Sequence, residues 1–324
     1  QRCDNRENKG HLESLSEAPV GWLALLARCP KLQALSPSEM LMRLGGSRRS
    51  TNVEDYRSRP GGGRPGLKFG LGTIVVLVIG YFLGINPLTM LGIMNNMQGS
   101  APTTEPAPEG TPTDQGSDLV RAVLGDTEDT WGAIFQANGA QYPPPTLALF
   151  RGSIQSACGF ASSASGPFYC PGDRKVYIDL AFYDELAQQF QAPGDFAQAY
   201  VLAHEVGHHV QNVLGTLEKV QAAQQRLGEE ERNPLQVRVE LQADCYAGIW
   251  AHHAEKSRSI LEPGDIDEGL KAASAVGDDT IQRRMQGHVV PESFTHGSAE
   301  QRMRWFTRGY ESGELASCDT FSAR

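Results

Sequence analysis

The chain has 324 residues, 40% of them hydrophobic, with 29 Lys+Arg against 38 Asp+Glu. That length holds one or two domains with a substantial core, and the net charge of −9 argues against nucleic acid as a partner. The charge is uneven: residues 1–68 hold 12 Lys+Arg and 7 Asp+Glu, a net of +5, and the remainder carries −14.

Residues 1–41 contain Cys3, Cys29 and a short apolar run over Val20–Ala27. The expectation is that translation starts at Met42 or Met40 and that residues 1–41 are an over-extended N-terminus. A genuine amphipathic extension is the alternative. Residues 42–68 read as a basic cytoplasmic tail, with Arg43, Arg48, Arg49, Arg57, Arg59, Arg64 and Lys68 against Glu54 and Asp55. Residues 69–94 contain no charge and are long enough for one transmembrane helix, which needs about 20 apolar residues. Basic residues precede this stretch, and none follows it until Arg121. The asymmetry predicts a single-pass inner-membrane protein with the N-terminus cytoplasmic and the rest periplasmic or extracellular. The lipid bilayer is then a partner. A cleaved signal peptide is the alternative, but no clear A-x-A site follows the apolar run. Residues 95–116 are rich in Pro, Thr and Gly and read as an extended linker.

A globular domain is expected over residues 117–324. Asp118–Asn138 has helical periodicity, with Leu119, Val120, Val123, Leu124, Trp131, Ile134 and Phe135 on one face. Thr146–Phe150 and Lys175–Leu180 read as strands. Asp179 reads as a structural polar residue rather than a cleft contact. Four cysteines follow, Cys158, Cys170, Cys245 and Cys318, none with C-x-x-C spacing. Outside the cytoplasm they suggest two disulfides. Three pairings are possible; Cys158–Cys170 is the most local, leaving Cys245–Cys318.

The stretch Ala199–Gly215 contains His204-Glu205-Val206-Gly207-His208. On a helix, residues four apart share a face, so His204 and His208 can point two imidazoles at one metal ion. Glu205 can then reach a water on that metal as general base. Two histidines leave a zinc site short of a third protein ligand. Glu240 can supply it from a second helix, in VRVELQADCYAGIWAHHAEK, and Asp244 lies one turn further on. Asp244 can accept a hydrogen bond from the outer nitrogen of a ligating histidine, His204 first, and so fix its tautomer. Taken singly, Glu240 reads as a solvated helix charge and Asp244 as a cap or surface carboxylate. The two patterns together favour one Zn2+ per chain. Thr216–Gly228 reads as a polar helix between them. Gly264–Val276 is expected to be a helix capped by Asp265, and Ser298–Tyr310 a last helix capped by Ser298.

Other histidines carry weaker signals. His209 points about 100° from the second ligand, so it packs or hydrogen-bonds. His252 and His253 sit near a helix end, where imidazoles suit the dipole. His296, in Thr295-His296-Gly297-Ser298, is a candidate donor to the developing oxyanion of amide hydrolysis, as are Tyr310 and Tyr177. A structural loop role for His296 is the competing reading.

HEVGHHVQ with ELQADCYAG resembles the neutral zinc metallopeptidase family of bacteria, zincins with a glutamate third ligand. The segments CPGDRKVYIDLAFYDEL (170–186), FTHGSAEQRMRWFTRGY (294–310) and RLGGSRRSTNVEDYR (43–57) extend the likeness over about Met42–Asp319. The resemblance implies an α+β zincin-like metallopeptidase domain with a small sheet and a two-helix metal site, preceded by one transmembrane helix. It places KVYIDL in the sheet beside the metal helix, where an edge strand pairs with extended substrate. The expected activity is hydrolysis of peptide bonds in peptide or protein substrates by a zinc-activated water. A non-catalytic zinc-stabilised peptide-binding or assembly module is the alternative, against which the intact Glu205 argues. A zinc hydrolase acting on other bonds, such as cell-wall crosslinks, is a third reading.

Overall fold

The computed structural model describes residues 42–57, 114–163 and 166–322. Residues 1–41 and the expected transmembrane stretch 69–94 lie outside these. So do most of the linker and the expected start at Met40. Among the described residues no helix is long and apolar enough to cross a membrane.

Six strands and eight helices are described: β1 (Val53–Asp55), α1 (Gln115–Ala137), β2 (Thr146–Phe150), β3 (Ser153–Ser156), β4 (Gly159–Ser162), β5 (Phe168–Cys170), β6 (Lys175–Asp179), α2 (Ala181–Gln188), α3 (Asp195–Val213), α4 (Thr216–Gln224), α5 (Glu229–Arg258), α6 (Asp265–Ala275), α7 (Asp278–Gln286) and α8 (Ala299–Ser312). The mixed α+β class follows directly. One sheet has the order β1-β2-β6-β5, and β3-β4 form a separate hairpin. β1, β2 and β6 are parallel, with Leu147 opposite both Val53 and Val176; β5 is antiparallel to β6. The central strands β2 and β6 bury both faces, which is why β2 is apolar from Leu147 to Phe150 rather than alternating. β6 ends at Asp179, whose carboxylate accepts from the backbone of Gly152 (2.8 Å) and Ala181 (3.0 Å) and from the Ser163 hydroxyl. Asp179 is therefore structural.

The described part of the basic tail is a correction to the sequence reading. Residues 42–57 are not a separate tail; they are folded onto the domain. β1 completes the sheet edge, and the arginines pair with α1 and its neighbours: Arg48 with Glu128 (2.7 Å) and Asp129 (2.8 Å), Arg49 with Asp118 (2.6 Å), Arg57 with Asp114 (2.7 Å). Residue 125 of α1 is glycine for a steric reason, since a Cβ there would meet the Arg48 carbonyl at 2.5 Å. The local density of positive charge thus serves an acidic domain. In sequence alone it is indistinguishable from a topogenic signal.

The helical core packs α3, α5, α6 and α8 around Tyr200, Phe196, Trp250 and Phe306. Two close crossings set its geometry. A Cβ at Gly207 of α3 would lie 2.9 Å from the Ala243 carbonyl of α5. One at Gly309 of α8 would lie 1.9 Å from the Cys245 carbonyl. Only glycine lets these backbones approach so closely. α8 opens with Ser298, whose side chain accepts from Gln301 N–H in a capping box. α6 does not use Asp265 as its cap: Gly264 holds that position in the left-handed region, and Asp265 is buried as the first helical residue. The disulfides are Cys158–Cys170 and Cys245–Cys318, the second tying α5 to the C-terminal turn.

Candidate metal centre

α3 and α5 converge at Gly207–Ala243, and the polar residues a turn before and just after this contact meet. His204 Nε2 lies 3.2 Å from Glu240 Oε2, and His208 Nε2 lies 3.4 Å from the same oxygen. The two imidazole rings stand nearly perpendicular, 4.7 Å apart. Tetrahedral ligands at about 2.0–2.1 Å from a zinc ion are about 3.3 Å apart. The two nitrogens and one oxygen therefore have the spacing, softness and charge of a three-residue zinc ligand set, which the His204/His208/Glu240 cluster could form.

The outer nitrogens are held as a metal site requires. His204 Nδ1–H donates to Asp244 Oδ1 (2.8 Å), and His208 Nδ1–H to Gln211 Oε1 (2.9 Å). Both bonds leave Nε2 facing the cluster. Gln211 is fixed in turn by donating to the Val239 carbonyl (2.7 Å) and to Gln242 (3.1 Å). Gln236 donates to the free oxygen of Glu240 (3.0 Å).

Asp244 is wholly buried, which an unpaired carboxylate could not sustain. Arg302 from α8 donates to both its oxygens (2.8 and 2.9 Å), and the Tyr200 hydroxyl adds a third bond (2.6 Å). Burial favours the neutral acid, but Arg302 and His204 outweigh it and hold Asp244 down at about 2. Burial likewise opposes charge on His204, yet Asp244 and Glu240 push the imidazole up to about 9. Glu240 is held well below the usual carboxylate range, burial being outweighed by His208 and His204. The cluster thus attracts positive charge, and a cation would compete with protons for these nitrogens.

Arg302, Tyr200, Gln211 and Gln236 were not read from the sequence. Arg302 did leave a signal: it falls on the buried stripe of α8 with Ala299, Trp305, Phe306 and Gly309. An arginine in an apolar stripe needs a buried anion, and that anion is 58 residues away in sequence.

A cleft of about 560 Å³ lies over the cluster. Its walls include Glu205, Phe168 and Tyr169 of β5, Val220 and Gln224 of α4, and His296. β5 is the edge strand beside the metal helix, while β6, which contains most of KVYIDL, is interior. His296 sits at the cleft with its ring 3.2 Å from Asp278, whose hydrogen bond raises the imidazole's proton affinity. Tyr177 and Tyr310 do not line the cleft; the Tyr177 hydroxyl is tied to Asp173 (2.7 Å). His209 points away, buried between the Tyr169 hydroxyl (3.0 Å) and the Pro143 carbonyl (2.6 Å). His252 and His253 donate to the carbonyls of Tyr310 and Gly313, so they fasten the end of α8 rather than that of their own helix.

The chain is similar to uncharacterized protein YpfJ of Escherichia coli K12, 45% identical over 289 residues, 86% of this chain and 99% of that protein. It is also similar to uncharacterized protein Rv2575 of Mycobacterium tuberculosis H37Rv, 50% identical over 193 residues, 56% of this chain and 64% of that protein. No solved structure matches. The profile of the family described as "Putative neutral zinc metallopeptidase" matches residues 42–321, including every residue of the two-helix cluster, and the chain belongs to that family.

Proposed function

We propose that this protein is a zinc-dependent peptidase of zincin-like architecture. His204, His208 and Glu240 hold one Zn2+. Glu205 is the general base, Asp244 orients His204, and His296 is a donor at the cleft. The observation that carries the reading is the approach of two imidazole nitrogens to one carboxylate oxygen at 3.2 and 3.4 Å on the floor of a cleft that Glu205 also lines. A zinc ion held there would polarise a carbonyl and lower the proton affinity of a water.

The chain's own residues do the rest. Glu205 follows His204 by one position, so its carboxylate reaches the cleft without being needed as a ligand. It accepts the proton of the attacking water and delivers it to the leaving amine nitrogen. β5 offers an extended backbone edge along the cleft, to which a substrate peptide can add as a strand. His296 is exposed and tied to Asp278, which keeps a donor at the cleft mouth.

The test is cleavage of a peptide library by the whole protein, with and without chelator. Glu205→Gln should retain zinc and lose activity by about 10²–10⁴-fold. Full turnover in that variant, or in the chelated protein, would remove the peptidase reading and leave a binding module. His296→Ala should lower turnover with zinc retained.

The two disulfides support an oxidising compartment for the domain. Arg57 and Asp114 flank the apolar stretch in sequence and are 2.7 Å apart in space. One crossing between them would put these partners on opposite faces of the membrane. We therefore infer that residues 57 and 114 lie on the same side of the membrane. Reporter fusions after residues 57 and 116 should give the same sidedness; opposite signals would restore the single crossing.

A further inference from the structure

We propose that the acidic cluster Asp195–Asp265–Glu268 is the receptor for a free α-ammonium group on Met42, the native amino terminus of the chain. Asp195 opens the metal helix α3, and Asp265 and Glu268 lie one turn apart on α6. One carboxylate oxygen from each lies within 4.8 Å of the others. Asp195 and Asp265 are at least nine-tenths buried, at 8% and 2% exposure.

These carboxylates are short of partners. Asp195 Oδ1 and Glu268 Oε2 are buried with no hydrogen bond. Glu268 accepts from the Phe196 and Ala197 N–H groups at the start of α3. A helix start stabilises an anion by about 0.3–1 kcal/mol, up to about 2, which does not offset two buried carboxylates and a half-buried third. Among the described residues, cations act on these carboxylates only at a distance: Arg43 pairs with Glu262 and reaches Asp265 through space, and Lys271 does the same for Glu268.

What does point into the cluster is the Met42 nitrogen, 2.6 Å from Asp195 Oδ2. The Met42 side chain is buried in the main core, and Arg43 N–H donates to the Ile260 carbonyl (2.8 Å), so this nitrogen is held in place from both sides. As an internal amide it has one hydrogen and no charge. As a chain terminus it has three hydrogens and a positive charge, matching three carboxylates and the unpartnered Asp195 oxygen. A donor nitrogen at this position also disfavours a metal ion, which needs lone pairs there. Initiation at Met42, with hydrolytic removal of the formyl group that bacterial initiator methionine carries, supplies the amine, and the family match opens at this residue. The ammonium would fasten the start of the metal helix to α6, about 13 Å along α3 from His204.

The protein is made from its own gene with its natural upstream sequence and purified through a C-terminal tag. Mass analysis of the N-terminal peptide should find Met42 with an unmodified amine. A pulse of isotopic acetic anhydride should acetylate that amine at least about tenfold slower in the native protein than in denaturant, because reaction then requires local opening. In Asp265→Asn the native rate should rise towards the denatured one. The proposal is overturned by an N-terminal peptide containing any of residues 1–41, by equal native and denatured rates, by an unchanged rate in Asp265→Asn, or by a second tightly held metal ion per chain.

Discussion

Helix α3 carries a buried cluster of ionisable groups at its start and another near its middle, and the two are built differently. Around His204 the chain supplies its own counter-charge. Arg302 neutralises Asp244, and two imidazoles face Glu240. Around Asp195 three carboxylates meet with no side-chain cation in contact among the described residues, and burial pushes Asp265 up to about 7. The comparison teaches that burial alone does not mark a functional site. What matters is whether charge is balanced from within and which atoms are left without partners. In the centre the free valences face a cleft and are shared by nitrogen and oxygen; at the helix start they are all oxygens, beside an Asp195 oxygen that meets the Met42 backbone nitrogen.

Removing the internal counter-charge is the strongest way to break this contrast. Arg302→Met leaves Asp244 buried and unpaired and should cost about 3–5 kcal/mol of folding stability, read by urea denaturation of the zinc-loaded protein. A loss under about 1 kcal/mol would mean that Asp244 is balanced by something else.

The helix start gives the next effect, through pH. Asp265 binds a proton more tightly when folded (about 7) than its ordinary value of 3.8. The folded state then holds the extra proton between about pH 4 and pH 7, so stability falls as pH rises across that window, by at most about 1.4 kcal/mol for each pH unit crossed. This loss should appear when residues precede Met42. It should vanish with a free Met42 amine, which draws the carboxylates back down. Denaturation midpoints at pH 4.5 and 7, roughly the ends of that window, compare the two forms.

Asp244→Asn sharpens the contrast from the other side. It keeps the shape but weakens the acceptor for His204 Nδ1–H, and should lower zinc affinity about 10–100-fold in a competition titration. An equal loss from Asp265→Asn would erase the distinction between the two clusters. The smallest effect belongs to Arg43→Ala. Its pairing with Glu262 is at the surface, where solvent screens it, and the denaturation midpoint should barely move.

Much of the centre was legible in the sequence because its rules are local. His204 and His208 share a face through the helical period. Glu240 and Asp244 repeat the same spacing, and a zinc site with two histidines requires another ligand. Thr146–Phe150 was legible for the same reason, as a short apolar run bounded by prolines and glycine. Helix α7 and strands β3–β5 were not read, since each is short and polar enough that neighbouring elements define it. The basic run over residues 42–57 was misread because charge density says nothing about where the opposite charges lie.

The sequence by itself determined which residues could bind metal, because ligand chemistry and helical spacing are properties of a few adjacent positions. Only the tertiary structure decided that Arg302 would balance Asp244, that β5 rather than β6 would border the cleft, and that the Met42 nitrogen would meet the Asp195 carboxylate. Each of these joins residues far apart in the chain. Such meetings depend on how closely helices can cross, which Gly207 and Gly309 permit, and no local pattern encodes the distance that results.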